Sequence, residues 1–247
     1  MRGAPGTAIN LTIVRPGRDK PFDVSITRAI ISIPAVKWEI RDRVGILNVN
    51  SFNKTTTDAT LAAIASIEKQ LGGPPTGYIL DLRSNPGGLL DQAVGLSDAF
   101  LSGGEIVSQR GRRKDDIERY YAHPGDATHG APLVVLIDAG SASASEIVAG
   151  ALQDHHRGLI MGERSFGKGS VQTLLPLTSE TALRLTTARY YTPSGRSVQE
   201  GGITPDVYIH YIRYGQSISV YAGEWELALG KIESYIGNLL DESDWVT

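Results

Sequence analysis

Five consecutive apolar residues, Leu133–Ile137 (LVVLI), constrain the fold more than any other stretch of this chain. A short apolar run without alternation is a strand covered on both faces, as in a parallel sheet with crossover helices. Tyr78–Leu82 reads as a second buried strand and Leu159–Met161 as a third. Between them lie helical segments. Thr57–Leu71 places Leu61, Ile64, Ile67 and Leu71 on one stripe, and Gly72-Gly73-Pro74-Pro75 ends it. Leu89–Leu101 and the segment from Ser143 onward read as further helices. Val36–Ile40, Val44–Val49, Ile106–Arg110, Arg119–Ala122, Val171–Leu177 and Ala182–Tyr191 complete the β segments. Strands alternating with helices predict an α/β fold with a mostly parallel core sheet and flanking helices.

The two ends differ from this core. Ile9–Val14 and Phe22–Ile26 both alternate apolar and polar residues, and Pro16-Gly17-Arg18-Asp19 between them supplies turn chemistry, so residues 1–30 hold a hairpin. Glu224–Leu240 is an amphipathic helical segment, with Trp225, Leu229, Ile232 and Ile236 on its apolar side; it packs on its own core or on a second subunit. No apolar run approaches the ~18 residues that a membrane span needs. The absence of cysteine excludes a disulfide scaffold, a thiolate zinc site and a cysteine nucleophile. A net charge of −3 argues against general nucleic-acid binding. Met1–Thr7 lacks the features of a signal peptide, so the protein is cytosolic or the chain begins partway through a longer one.

Two segments could carry chemistry. In Asp138–Ile147 a buried strand hands over to a helix through small residues, and Ala144, Ile147, Val148, Ala151 and Leu152 mark one helix face. The serines therefore sit at a helix N-terminus, where outward N–H groups and the helix dipole favour negative charge. A serine nucleophile with a neighbouring oxyanion donor uses such a place. Equally, Ser, Gly and Ala are ordinary at helix starts, and Ser143-x-x-Glu146 fits a capping box.

The second segment is Gly162–Gln172. Gly162-x4-Gly167-Lys168 approaches a phosphate-binding loop, but Gly169 stands where that motif needs Ser or Thr, and a strand follows where it needs a helix. Lys168 is otherwise a solvated lysine in a glycine-rich turn. Taken with the serine segment it has another use. A serine needs a base, and a lysine serves where burial leaves its amine neutral. Asp154-His155-His156 could suggest a metal, although adjacent helical residues do not face one ion. Arg110–Asp116 reads as a solvated charged hairpin tip or a contact for substrate or partner.

Gly140–Ile147 followed by Phe166–Gln172 resembles the C-terminal processing (tail-specific) protease family of serine peptidases. Asp81–Gly88, Tyr190–Arg196 and Ile203–Asp206 extend the resemblance over roughly residues 1–210. It implies a ClpP/crotonase-like protease core over 31–213, with a C-terminal helical extension over 214–247. That family uses a Ser/Lys dyad, and its spacing selects Ser143 as nucleophile and Lys168 as general base, with Ser141 and Ser145 left as turn and helix residues. The resemblance also implies backbone oxyanion donors at Ala144 and at the Gly87-Gly88 turn, with Gly88 preferred. Gln172 matches the residue that orients the lysine, which requires a bend at Gly169 or a lysine leaning along the strand. Glu146 supports the helix start. No metal or cofactor is implied. The partners are protein or peptide substrates, C-terminal tails or unfolded segments, and the compartment is the bacterial periplasm. Family members carry a PDZ domain before the core. Residues 1–30 resemble only its end, so the chain is expected to be a fragment with an added Met1. The implied activity is an endopeptidase cleaving proteins at or near their C-termini; the rival is a PDZ-deleted, catalytically incompetent fragment that binds peptide by strand addition.

Overall fold

The computed structural model describes residues 2–30, 34–178, 180–199 and 201–209. The chain divides into two units at Pro34/Ala35. In the first, β1 (Ala8–Ile13) and β2 (Phe22–Thr27) pair antiparallel with Ile9 opposite Ile26 and Leu11 opposite Val24. The Glu224–Leu240 segment and the boundary at 213/214 lie outside the described residues.

The second unit is built on a six-stranded sheet. Its first two strands, β3 (Val36–Arg41) and β4 (Val44–Val49), form a hairpin. Asp42 and Arg43 turn it at φ values of 46° and 66°, the positive angles that a two-residue hairpin loop requires. β5 (Gly77–Asp81), β8 (Leu133–Ile137), β9 (Leu159–Gly162) and β12 (Val207–Tyr208) then add parallel to β4, one beside the next in chain order. Continuous apolar sequence makes these strands double-sided. Leu47, Leu80, Val135, Ile137 and Ile160 join the larger core on one face, and Ile46, Ile79, Val134, Leu136 and Met161 a smaller one on the other.

Helices α1 (Thr56–Leu71), α2 (Leu90–Asp98) and α3 (Ala144–Asp154) supply residues only to the larger cluster, so they lie on one side of the sheet rather than flanking both. The inner face of α1 is Thr56, Thr60, Ala63, Ile64 and Ile67. Leu61, assigned to the apolar stripe by its type, points outward and is exposed.

The mostly parallel reading holds for this sheet and is incomplete for the unit. A second, wholly antiparallel sheet runs in the order β10 (Ser170–Pro176), β11 (Ala182–Tyr191), β6 (Glu105–Arg110), β7 (Ile117–Tyr121). The Arg110–Asp116 charge run turns the β6–β7 hairpin, and residues 112–116 are exposed. The architecture is therefore mixed α/β.

Candidate active site

Three loops leave the C-terminal ends of β5, β8 and β9, neighbouring strands of the parallel sheet. Such ends are where open α/β sheets place their ligands.

The loop after β8 carries three serines in different states. Ser141 is fully buried; its hydroxyl donates to Leu82 O at 2.8 Å and accepts from Asp138 N–H at 3.0 Å. Ser145 is also fully buried and donates to Asn85 O at 2.9 Å. Ser143 is half-buried. Its backbone sits at φ 56° and ψ −111°, a conformation that side chains with a Cβ rarely adopt. This is a sharp strand-to-helix turn that lifts one side chain out of the backbone, as nucleophile elbows do. The expected capping box is present, and Glu146 Oε2 accepts the Ser143 N–H at 2.7 Å across it.

The loop after β5 closes against this elbow. Asn85 is fully buried; it anchors to Val49 O through Nδ2 at 2.7 Å and accepts the Gly87 N–H on Oδ1 at 2.9 Å. Its carbonyl also accepts the Ala142 N–H at 3.0 Å. Each glycine of the turn has its own steric reason. A Cβ on Gly87, at φ 93°, would stand 2.5 Å from Ala142 O and 2.8 Å from Ala144 N. A Cβ on Gly88 would stand 2.1 Å from Phe52 O. The Gly87 N–H is occupied by Asn85, whereas no acceptor is found for the Gly88 or Ala144 N–H among the described residues.

The loop after β9 brings Lys168. Glu146, fully buried on the first turn of α3, accepts four hydrogen bonds. Oε1 takes Ser165 Oγ–H and Gly167 N–H, each at 2.6 Å. Oε2 takes Ser143 N–H at 2.7 Å and Lys168 N–H at 2.9 Å. One carboxylate oxygen thus holds the backbone of Ser143 and that of Lys168. The capping spacing foreshadowed the first of these bonds; nothing local in the sequence marks the other three. The same bonds rule out the phosphate-loop reading, because two of the N–H groups a phosphate would need already face Glu146. The chain after Gly169 is strand β10, not a helix.

Lys168 itself is exposed, contrary to the burial that a neutral amine calls for, and no hydrogen bond joins its amine to Ser143 Oγ among the described residues. Gly169 is buried because the chain packs on it: a Cβ there would lie 2.3 Å from Gln199 N. Gln172 sits on β10 opposite Thr186, beyond a register shift between Val171 and Gln172. Lys168 precedes the strand and a bulge separates the two, so period-two alternation does not relate their side chains. Gln172 makes no hydrogen bond to Lys168 among the described residues.

The alternative metal reading fails on geometry. Asp154 accepts the Ser194 N–H at 2.8 Å and pairs with Arg196, while His155 Nε2 meets Glu105 O at 2.7 Å. Among the described residues no three His, Cys, Asp or Glu side chains converge as metal ligands.

The sequence profile of peptidase family S41 matches residues 43–209. The carboxy-terminal-processing protease of Bartonella bacilliformis is 56% identical over 213 residues, 85% of this chain and 48% of that protein. The carboxyl-terminal-processing protease of Synechocystis sp. is 36% identical over 211 residues, 83% of this chain and 48% of its own length. Among solved structures, a photosystem II D1 C-terminal processing protease superposes with a TM-score of 0.66 at 32% identity, covering 84% of this chain and 56% of that one. The chain spans about half the length of the curated relatives it matches. The profile match runs unbroken from β4 to the end of β12, through all three loops described above, and the chain belongs to peptidase family S41.

Proposed function

We propose that the protein is a serine endopeptidase that cleaves polypeptides at or near their C-termini through a Ser143/Lys168 acyl-enzyme mechanism. The observation that carries this reading is the Glu146 carboxylate, which ties the backbone of Ser143 to that of Lys168. The lysine stem is long and flexible, so rotation about its side-chain bonds carries Nζ toward Ser143 Oγ from a backbone already fixed. Catalytic hydrogen bonds are commonly loose before substrate binds.

In the proposed reaction Lys168 takes the hydroxyl proton as Ser143 Oγ attacks the peptide carbonyl. The developing oxyanion accepts the N–H groups of Ala144 and Gly88, for which no acceptor is found among the described residues. Lys168 returns the proton to the leaving amine, and water then hydrolyses the ester with Lys168 again as base. Gln172 orients the lysine once Nζ has swung in. Glu146 and Gly87 hold this geometry without touching the substrate. Residues 1–30 are read as the tail of a PDZ domain and the compartment as the bacterial periplasm; no helix among the described residues is long and apolar enough to cross a membrane.

A serine-directed fluorophosphonate followed by peptide mapping tests the proposal. Labelling is expected at Ser143 alone and is expected to vanish in the Lys168→Ala variant. An unlabelled parent chain, or a label on another serine, overturns the assignment.

A further inference from the structure

The antiparallel sheet ends on one side in an open strand that begins two residues after Lys168. β10 pairs with β11 and has no partner on its other edge among the described residues. Exposed edges invite further strands, and folds usually guard them with charge or keep them short. The other edges of both sheets follow that rule. β7 carries Glu118 and Arg119, β3 carries Lys37, Glu39 and Arg41, and β12 has two residues. β10 is different: from Gly169 to Thr178 the chain has no charged residue. A bulge at Val171/Gln172 and Pro176 at the end bound a regularly paired stretch between them.

One face of this hairpin is apolar as well as open, whereas the reverse face sets Leu174 opposite Arg184. The register sets Leu175 opposite Leu183 and Thr173 opposite Leu185. Directly opposed residues share a face and so do residues two apart, so Leu175, Leu183 and Leu185 form one apolar face. They are 42%, 45% and 48% exposed, and Leu174 on the reverse face is 66% exposed.

We infer that the free edge of β10 is the docking rail for substrate: an extended, uncharged segment of an unfolded polypeptide that adds as a further strand, with apolar side chains at alternate positions lying beside Leu175 and Leu183. The backbone of such a segment supplies the hydrogen bonds, and the leucine face selects the side chains. The strand leads directly from Lys168, so a peptide paired along it is delivered toward Ser143. This inference rests on the Ser143/Lys168 reading, but binding to the rail can be measured without catalysis.

The experiment uses the Ser143→Ala chain and fluorescence anisotropy with a labelled decapeptide carrying Val or Leu at alternate positions and Thr between them. Two analogues are N-methylated on alternate backbone nitrogens, one in each register. A docked strand points only one set of N–H groups at β10, so one analogue is expected to bind at least tenfold more weakly and the other to keep most of its affinity. Leu175→Asp and Leu183→Asp, at exposed positions, are each expected to weaken the parent peptide by about tenfold, the scale of one lost apolar contact. Equal binding of both N-methyl analogues overturns the rail, as does peptide binding that ignores the leucine substitutions. Sedimentation of the same variants exposes the other occupant: a dimer that Leu175→Asp splits, with peptide binding unchanged, makes this a contact between copies and also ends the proposal. Fluorophosphonate labelling of the unsubstituted chain judges the catalytic reading separately.

Discussion

Ser143 can be replaced in two ways that abolish a nucleophile equally but differ in what they do to the backbone. At φ 56° and ψ −111° the residue sits where any Cβ is disfavoured, a strain of roughly 1–3 kcal/mol. Ser143→Ala keeps the Cβ and the strain and loses the hydroxyl's side of the capping box, a loss the glycine variant shares, so it cancels between them. Its stability is expected within about 1 kcal/mol of the parent. Ser143→Gly removes the Cβ and releases the strain, at a cost of about 0.4–1 kcal/mol for the added freedom of the unfolded chain. The difference favours the glycine variant by about 1 kcal/mol, or ~2–4 °C in melting temperature for a protein of this size. Paired calorimetric scans of the two inactive variants measure it directly. A glycine variant that melts at or below the alanine variant would show that the elbow is not strained.

Three further outcomes follow from the same geometry. Glu146→Gln turns an amide nitrogen toward two donors in either orientation; it should cost about 2–6 kcal/mol in urea unfolding, at ~1–3 kcal/mol per stranded polar group, and suppress labelling of Ser143. An unchanged unfolding midpoint contradicts the four-bond carboxylate. Gly87→Ala is expected to destabilise the fold by at least ~1 kcal/mol and to abolish peptide hydrolysis, because its methyl group falls on Ala142 O and Ala144 N; full activity in this variant removes the turn from the site. Asp126 is pushed up by burial, but bonds from the Thr128 hydroxyl and N–H and the Arg157 guanidinium outweigh this and hold it below the ordinary carboxylate range. A depressed carboxylate stabilises the fold above its unfolded pKa and loses that contribution as pH falls through the folded one. Urea midpoints between pH 5 and 2 should therefore fall less steeply in Asp126→Asn than in the parent, and parallel curves would contradict the assignment.

The parallel core was legible because LVVLI and its neighbours carry no alternation, and burial on both faces is the only use for such strands. The serine elbow was legible locally as a strand running into small residues and then a helix face. What sequence could not show lies in contacts between distant segments. Glu146 signals its reach to Ser143 through capping spacing, but its bonds to Ser165, Gly167 and Lys168 cross about twenty residues of chain. The second sheet was hidden for a similar reason: β6 and β7 pair locally, but Arg189 meets Arg110 only after the parallel strands have brought β11 alongside. Leu61 misled because the inward positions of α1 are filled by threonine and alanine. The Lys168–Gln172 relation implied by the resemblance needs a departure from regular strand geometry, and nothing local in the sequence marks the bulge between Val171 and Gln172.

The close approach of Gly169 to Gln199 also makes the two halves of the pair depend on different parts of the chain. Ser143 and Glu146 share one continuous turn between β8 and α3, whereas the loop bearing Lys168 packs on Gln199, thirty residues further along the chain. Damage near residues 198 and 199 therefore reaches the base and leaves the nucleophile's own turn untouched.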